Sequence, residues 1–175
     1  MQSRPVPLLA TLVVALTVLV AAPATARTAT WPVATGALAA ANSAKDVSSL
    51  SMDELEDRLM AEINQARAAN GLTKVWVFDA CTDRLAEQWG ERIARTGLFE
   101  HRDQNEVINR CDNSWAGETL VRGSDLTPRA MVDLWLDSPG HRAILLSPRA
   151  KRAGIAVTRD SQGRMIGVVN LVRHT

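Results

Sequence analysis

The chain has 175 residues, 46% of them hydrophobic, and its 20 basic side chains almost balance 19 acidic ones. That balance removes the long-range field that would draw it to nucleic acid or an anionic lipid surface, so a polyanion partner is not expected. The length is near that of a single domain and large enough to bury one core without many crosslinks, and a monomer is expected.

The first 26 residues carry one charge, Arg4, then an apolar stretch from Val6 to Val20 and the small-x-small pattern Ala24-Thr25-Ala26. This reads as a secretory signal peptide cut near Ala26 rather than a membrane span, because the segment is short and broken by Pro7 and Pro23. A secreted, extracellular protein is therefore expected. Removing Arg4 with the leader leaves 19 basic against 19 acidic side chains. Residues 27–50 are mostly Ala, Thr and Ser with few large apolar side chains, and read as a flexible linker to a domain over 51–175.

Ser51-Met52-Asp53-Glu54 has the form of a capping box, and Leu55, Leu59, Ile63 and Ala66 recur at helical spacing until Asn70-Gly71. After an extended stretch at 75–78, a second run places Cys81, Leu85, Trp89 and Ile93 four apart and stops at Gly97, a suitable left-handed cap. His101 lies just beyond. Residues 102–116 read as polar and irregular, and Gly117-Glu118-Thr119-Leu120-Val121 as the start of an ordered segment. Thr127-Pro128 opens a third helix whose expected apolar face is Met131, Leu134 and Trp135. Ser138-Pro139-Gly140-His141 interrupts it before a helical continuation to Leu146. The apolar runs 154–158 and 165–172, separated by Asp160-Ser161-Gln162-Gly163, signal a hairpin. Helices precede strands, which gives an α+β class with an antiparallel sheet. In an oxidising compartment the two cysteines, Cys81 and Cys111, pair with each other rather than act as catalytic thiols. The bridge would close about 30 residues, contribute about 3.5 kcal/mol in the chain-entropy picture, and tether the Glu118 segment to a helix.

Taken together, Asn64-x-x-Arg67 with Asn70-Gly71-Leu72, Phe99-x-His101, Gly117-Glu118, Trp135-x-x-Ser138-Pro139-Gly140-His141-Arg142 and the terminal hairpin resemble the bacterial branch of the CAP superfamily, the SCP-like or cysteine-rich secretory, antigen 5 and pathogenesis-related domain. The likeness runs over about residues 54–173. It implies an α-β-α sandwich, a small antiparallel sheet between helical layers, with a cavity on one side. The family's cavity gathers two histidines and two glutamates, and the matching positions here are His101, Glu118 and His141. The fourth falls near Ser138, so the second glutamate is missing, and Thr119 replaces the asparagine that usually follows the Gly-Glu step.

Two neutral imidazoles and a carboxylate are the donor types of an open zinc site, and similar family members bind zinc through paired histidines; His101 and His141 are thus the expected Zn2+ ligands. The alternative roles are helix-end hydrogen bonding for His101, packing of the Ser138 turn for His141, and pairing of Glu118 with Arg142 or another arginine. A Ser138-His141-Glu118 hydrolase triad can be written, but the chain has no G-x-S-x-G nucleophile elbow, and Ser138 is expected to cap the next turn. The reading adopted is an extracellular binding protein for a small apolar ligand such as a lipid, a cell-wall component or another protein, with hydrolysis as the alternative. Of Trp76, Trp89, Trp115 and Trp135, the helix-borne Trp89 and Trp135 are expected in the core and Trp115 is the candidate ligand contact, together with Ser138.

Overall fold

The computed structural model describes residues 47–175 apart from Trp76. The stretch read as a signal peptide and residues 27–46 lie outside the described residues. Val47, near the end of the stretch read as linker, is buried in the core beside Leu55 and Leu59.

Helix α1, Met52–Ala69, starts as its sequence dictates: the Ser51 hydroxyl accepts from the Glu54 N–H, and the Glu54 carboxylate accepts from the Ser51 N–H at 2.8 Å. It buries Leu55, Leu59 and Ile63, and Gly71 leaves the helix at φ 69°. Strand β1 is only Val77–Phe78. Helix α2, Ala80–Thr96, is capped by Asp79 and ends at Gly97, whose φ of 73° is a left-handed value open to glycine at no steric cost.

Residues 102–116 are regular, contrary to the sequence expectation. Asp103 caps a short helix α3, Gln104–Arg110, and strand β2, Asn113–Gly123, follows at once. The helix was illegible because it buries one side chain, Val107, so it has no periodicity to read. Its C-terminal cap is Cys111, which is bonded to Cys81 at the head of α2, as expected.

Thr127 caps helix α4, Pro128–Asp137, and Ser138 stands between it and helix α5, Pro139–Leu145. The buried stripe of α4 is Met131, Val132 and Trp135, whereas Leu134 is 49% exposed. Leu134 was misassigned because α4 turns its 131–132–135 side inward to pack against α1 and the sheet. Ser138 occupies the cap position of α5 but makes no side-chain cap bond, which corrects that expectation too.

Strands β3, Arg152–Arg159, and β4, Met165–His174, form the expected hairpin. The sheet order is β1-β3-β4-β2, with β2, β4 and β3 antiparallel and β1 adding two parallel pairs at Arg152 and Ala153. Odd-numbered sheet residues such as Ile155, Val157, Val169 and Leu171 pack with α1, α4 and α5. Even-numbered ones such as Leu120, Ala156, Val168 and Val172 pack with α2 and α3. The result is the expected α-β-α sandwich. Gly154 permits its tightest contact, because a Cβ there would sit 2.5 Å from the Asp83 backbone nitrogen.

Candidate functional site

Strand β2 forms one edge of the sheet, and side chains from the two faces approach each other past it. Glu118 projects from β2 into the α2–α3 layer with its side chain fully buried. His101, on the loop after α2, places Nδ1 2.8 Å from Glu118 Oε1, and the Arg102 backbone N–H donates to the same oxygen at 3.1 Å. His141 comes from α5 in the opposite layer, and its Nε2 lies 3.4 Å from Nε2 of His101. The two rings are 5.4 Å apart and tilted by 53°. The structure therefore brings together three residues separated by up to 40 positions in the chain.

The electrostatics follow from burial. Desolvation raises the Glu118 carboxyl above its ordinary value, opposed by the hydrogen bonds from His101 and Arg102. Partial burial, then the charge of His101, lowers His141 below the usual imidazole value. His141 is thus biased towards its neutral form, in which one ring nitrogen keeps a free lone pair. With the Nδ1–H of His101 directed at the carboxylate, its Nε2 likewise turns a lone pair towards His141.

These imidazoles stand at a cavity of about 410 Å³ with an apolar floor of Trp115, Gly117 and Ile144. The floor depends on Gly117, since a Cβ at that position would lie 3.0 Å from Ile144 Cγ2. Trp115 is half-buried on this wall, with Arg149 over its ring, rather than packed beside the Cys111 bridge. Ser138 also lines the cavity, although among the described residues its hydroxyl bonds neither the α5 backbone nor His141. Trp135 is in the core, and Trp89 is half-buried with its Nε1–H donating to the Glu100 carbonyl. Glu118 does not meet Arg142, which donates to the Leu136 carbonyl instead.

Three participants escaped sequence reasoning. Gln104 lines the cavity from the unread helix α3, and Ile144 from α5. Arg102 anchors the His101 loop: its guanidinium bonds both Glu106 oxygens and the Leu85 carbonyl at 2.6 Å. Only its position next to His101 hinted at this. The resemblance residues Asn64 and Arg67 act at a distance. Asn64 pairs with both backbone groups of Val75, and the buried Arg67 guanidinium donates to the Leu145 and Ser147 carbonyls, which fixes the end of α5.

A domain of this architecture, with two histidines and a buried glutamate meeting at a sheet edge, defines a class of protein that the comparisons identify. The family model described as the cysteine-rich secretory protein family, CAP, matches residues 60–171, and the chain belongs to that family. Similar solved structures include an outer surface protein of Borrelia burgdorferi, with 18% identity over 72% of this chain and 97% of that one and a TM-score of 0.65. An extracellular protein of Bacillus anthracis containing an SCP domain matches with 19% identity over 70% of this chain, TM-score 0.61. A cysteine-rich secretory protein of Staphylococcus aureus matches with 15% identity over 71%, TM-score 0.60. The chain spans only 41% and 40% of the length of those last two proteins, so their likeness concerns the domain alone. No curated protein matches the chain by sequence.

Proposed function

We propose that this chain is an exported CAP-domain binding protein that takes a small ligand with an apolar part into the β2-edge cavity, with a divalent cation held between His101 and His141. The observation that carries the proposal is the 3.4 Å separation of the two Nε2 atoms at the mouth of an apolar-floored cavity. Two nitrogens bound to one tetrahedral zinc at 2.0–2.1 Å stand about 3.4 Å apart, so the rings already have the spacing of a shared ligand pair. Glu118 would serve as the outer partner that fixes the orientation of His101. Among the described residues no group of three His, Cys, Asp or Glu side chains is placed to hold a metal, so the ion would take its remaining positions from water or ligand. Such an ion would supply Lewis acidity to a ligand oxygen. Export is supported by the leader-like first 26 residues and by relatives described as extracellular or outer-surface proteins. Among the described residues no helix is long and apolar enough to cross a membrane.

Against the serine route to the alternative, hydrolysis by the His101, Glu118 and His141 cluster, Ser138 has no hydrogen bond to His141. Calorimetric zinc titration at neutral pH tests the reading. One ion per chain is expected, with binding abolished in the His101→Ala/His141→Ala double variant. Affinity should fall about 10–100-fold in Glu118→Gln, which keeps the shape but loses the anionic acceptor. Equal heats for wild type and double variant would remove the metal from the proposal.

A further inference from the structure

The sheet face under α2 and α3 is built of cross-strand rows. One row, Leu120, Val168 and Ala156, is apolar and packs against Ala86 and Ile93. Another, on Ala116 and Val172, packs against Leu85 and Val107. Between them runs a different row: Glu118 on β2 is paired directly with Asn170 on β4, which is paired in turn with Gly154 on β3. This polar row is why the apolar contacts on this face fall into two separate clusters. It begins at the cavity and ends where the bare backbone of Gly154 meets the Thr82–Asp83 peptide of α2.

The row is not satisfied by protein groups. Asn170 is fully buried, yet neither Oδ1 nor Nδ2 has a protein hydrogen-bond partner, and Oε2 of Glu118 has none either. Directly opposed antiparallel residues hold their Cβ atoms about 5 Å apart, so these orphaned side chains are neighbours on one face of the sheet. Buried amides and carboxylates are hydrogen-bonded in nearly all native proteins, and a polar site with several partners is where internal water resides. An ionised carboxylate only accepts, so a water between the two donates to Glu118 and can accept from the Asn170 amide.

We propose that this row is an internal water site, in which a water accepts from the Asn170 side-chain N–H and donates to Glu118 Oε2, making Asn170 a positioning residue for the cavity. Oε1 of Glu118 is already taken by His101 and Arg102. Holding Oε2 as well stops rotation of the carboxylate and so fixes the ring of His101 from behind. The device works with or without a metal or ligand in the cavity, and its failure would leave the proposed function standing.

The test uses metal-free protein. A crystal structure that resolves internal waters is expected to show one within hydrogen-bond distance of both the Asn170 amide and Glu118 Oε2; absence of density there overturns the proposal, whether or not any variant folds. Asn170→Thr and Asn170→Val then share one shape and differ in a hydroxyl, so their packing losses cancel. The hydrogen-bonded Nδ1–H of His101, followed by its exchange with solvent in 15N NMR, should stay near wild type in the threonine variant. In the valine variant it should exchange about tenfold faster, the effect of losing one hydrogen bond's support. Equal exchange rates in the two variants would also overturn it.

Discussion

The two long edges of the sheet solve the same problem in opposite ways. On the β3 side, β1 covers only Arg152 and Ala153, and the strand beyond it is sealed by side chains. The Asp83 carboxylate accepts from the Ile155 N–H at 2.9 Å and Glu56 accepts from the Val157 N–H at 2.8 Å. On the β2 side the buried carboxylate, Glu118, accepts from an imidazole and a loop N–H instead, and the edge opens into a cavity. Burial raises the carboxyls at both edges, Glu56 to about 7. A buried carboxylate is thus not in itself a mark of function. What separates the edges is the donor each one serves: backbone that closes a sheet, or a side chain that faces a cavity.

The sharpest way to break this comparison is one substitution made at both edges. Gly154→Ala forces a methyl group into the backbone of Thr82 and Asp83, which cannot yield without lifting α2, so it should cost about 3 kcal/mol or more in urea unfolding. A loss below about 1 kcal/mol would mean that α2 is free to slide on the β3 side.

The next largest effect is a pH dependence at the sealed edge. Glu56 binds its proton more tightly when folded, at about 7 against an ordinary 4.5, chiefly because it is buried and secondarily because Asp83, Asp53 and Glu87 lie near, with the Val157 N–H opposing. Its contribution to stability is therefore full below about pH 4.5, declines as pH rises, and is gone above about 7. Allowing for its partial exposure, wild type should lose roughly 1–2 kcal/mol relative to Glu56→Gln across that window in urea melts at a series of pH values. Parallel curves for the two proteins would show that Glu56 titrates as a solvated group.

The smallest effect belongs to the open edge. A methyl group on Gly117 would meet the Ile144 and Trp115 side chains rather than backbone, and these can retreat into the cavity. Gly117→Ala should cost about 1 kcal/mol or less while shrinking the floor, visible as weaker binding of any apolar ligand that the wild type takes up. Equal losses at Gly117 and Gly154 would erase the distinction between the edges.

Much of the fold was legible because its signals are local. The capping box at Ser51, the left-handed stop at Gly97, the Thr127-Pro128 helix start and the turn at 160–163 each rest on residues within a few positions of one another. Helix α3 was missed for the converse reason: with only Val107 buried, it is held by Asp103, by Arg102–Glu106 and by the bridge to Cys81, all three of which begin outside it. Leu134 was misplaced because helical spacing gives a stripe's period and leaves its rotation about the axis to the neighbours.

The candidate site divides along the same line. Residue types and order alone singled out His101, Glu118 and His141 and indicated the family, and they paired the two cysteines by count. Only the tertiary structure decided that His101 and His141 approach each other past the β2 edge, that Glu118 takes His101 rather than an arginine side chain, and that Asn170 stands behind it. Those contacts join different layers of the sandwich, and their geometry is set by how the helices pack on a twisted sheet, a long-range property that no window of sequence contains.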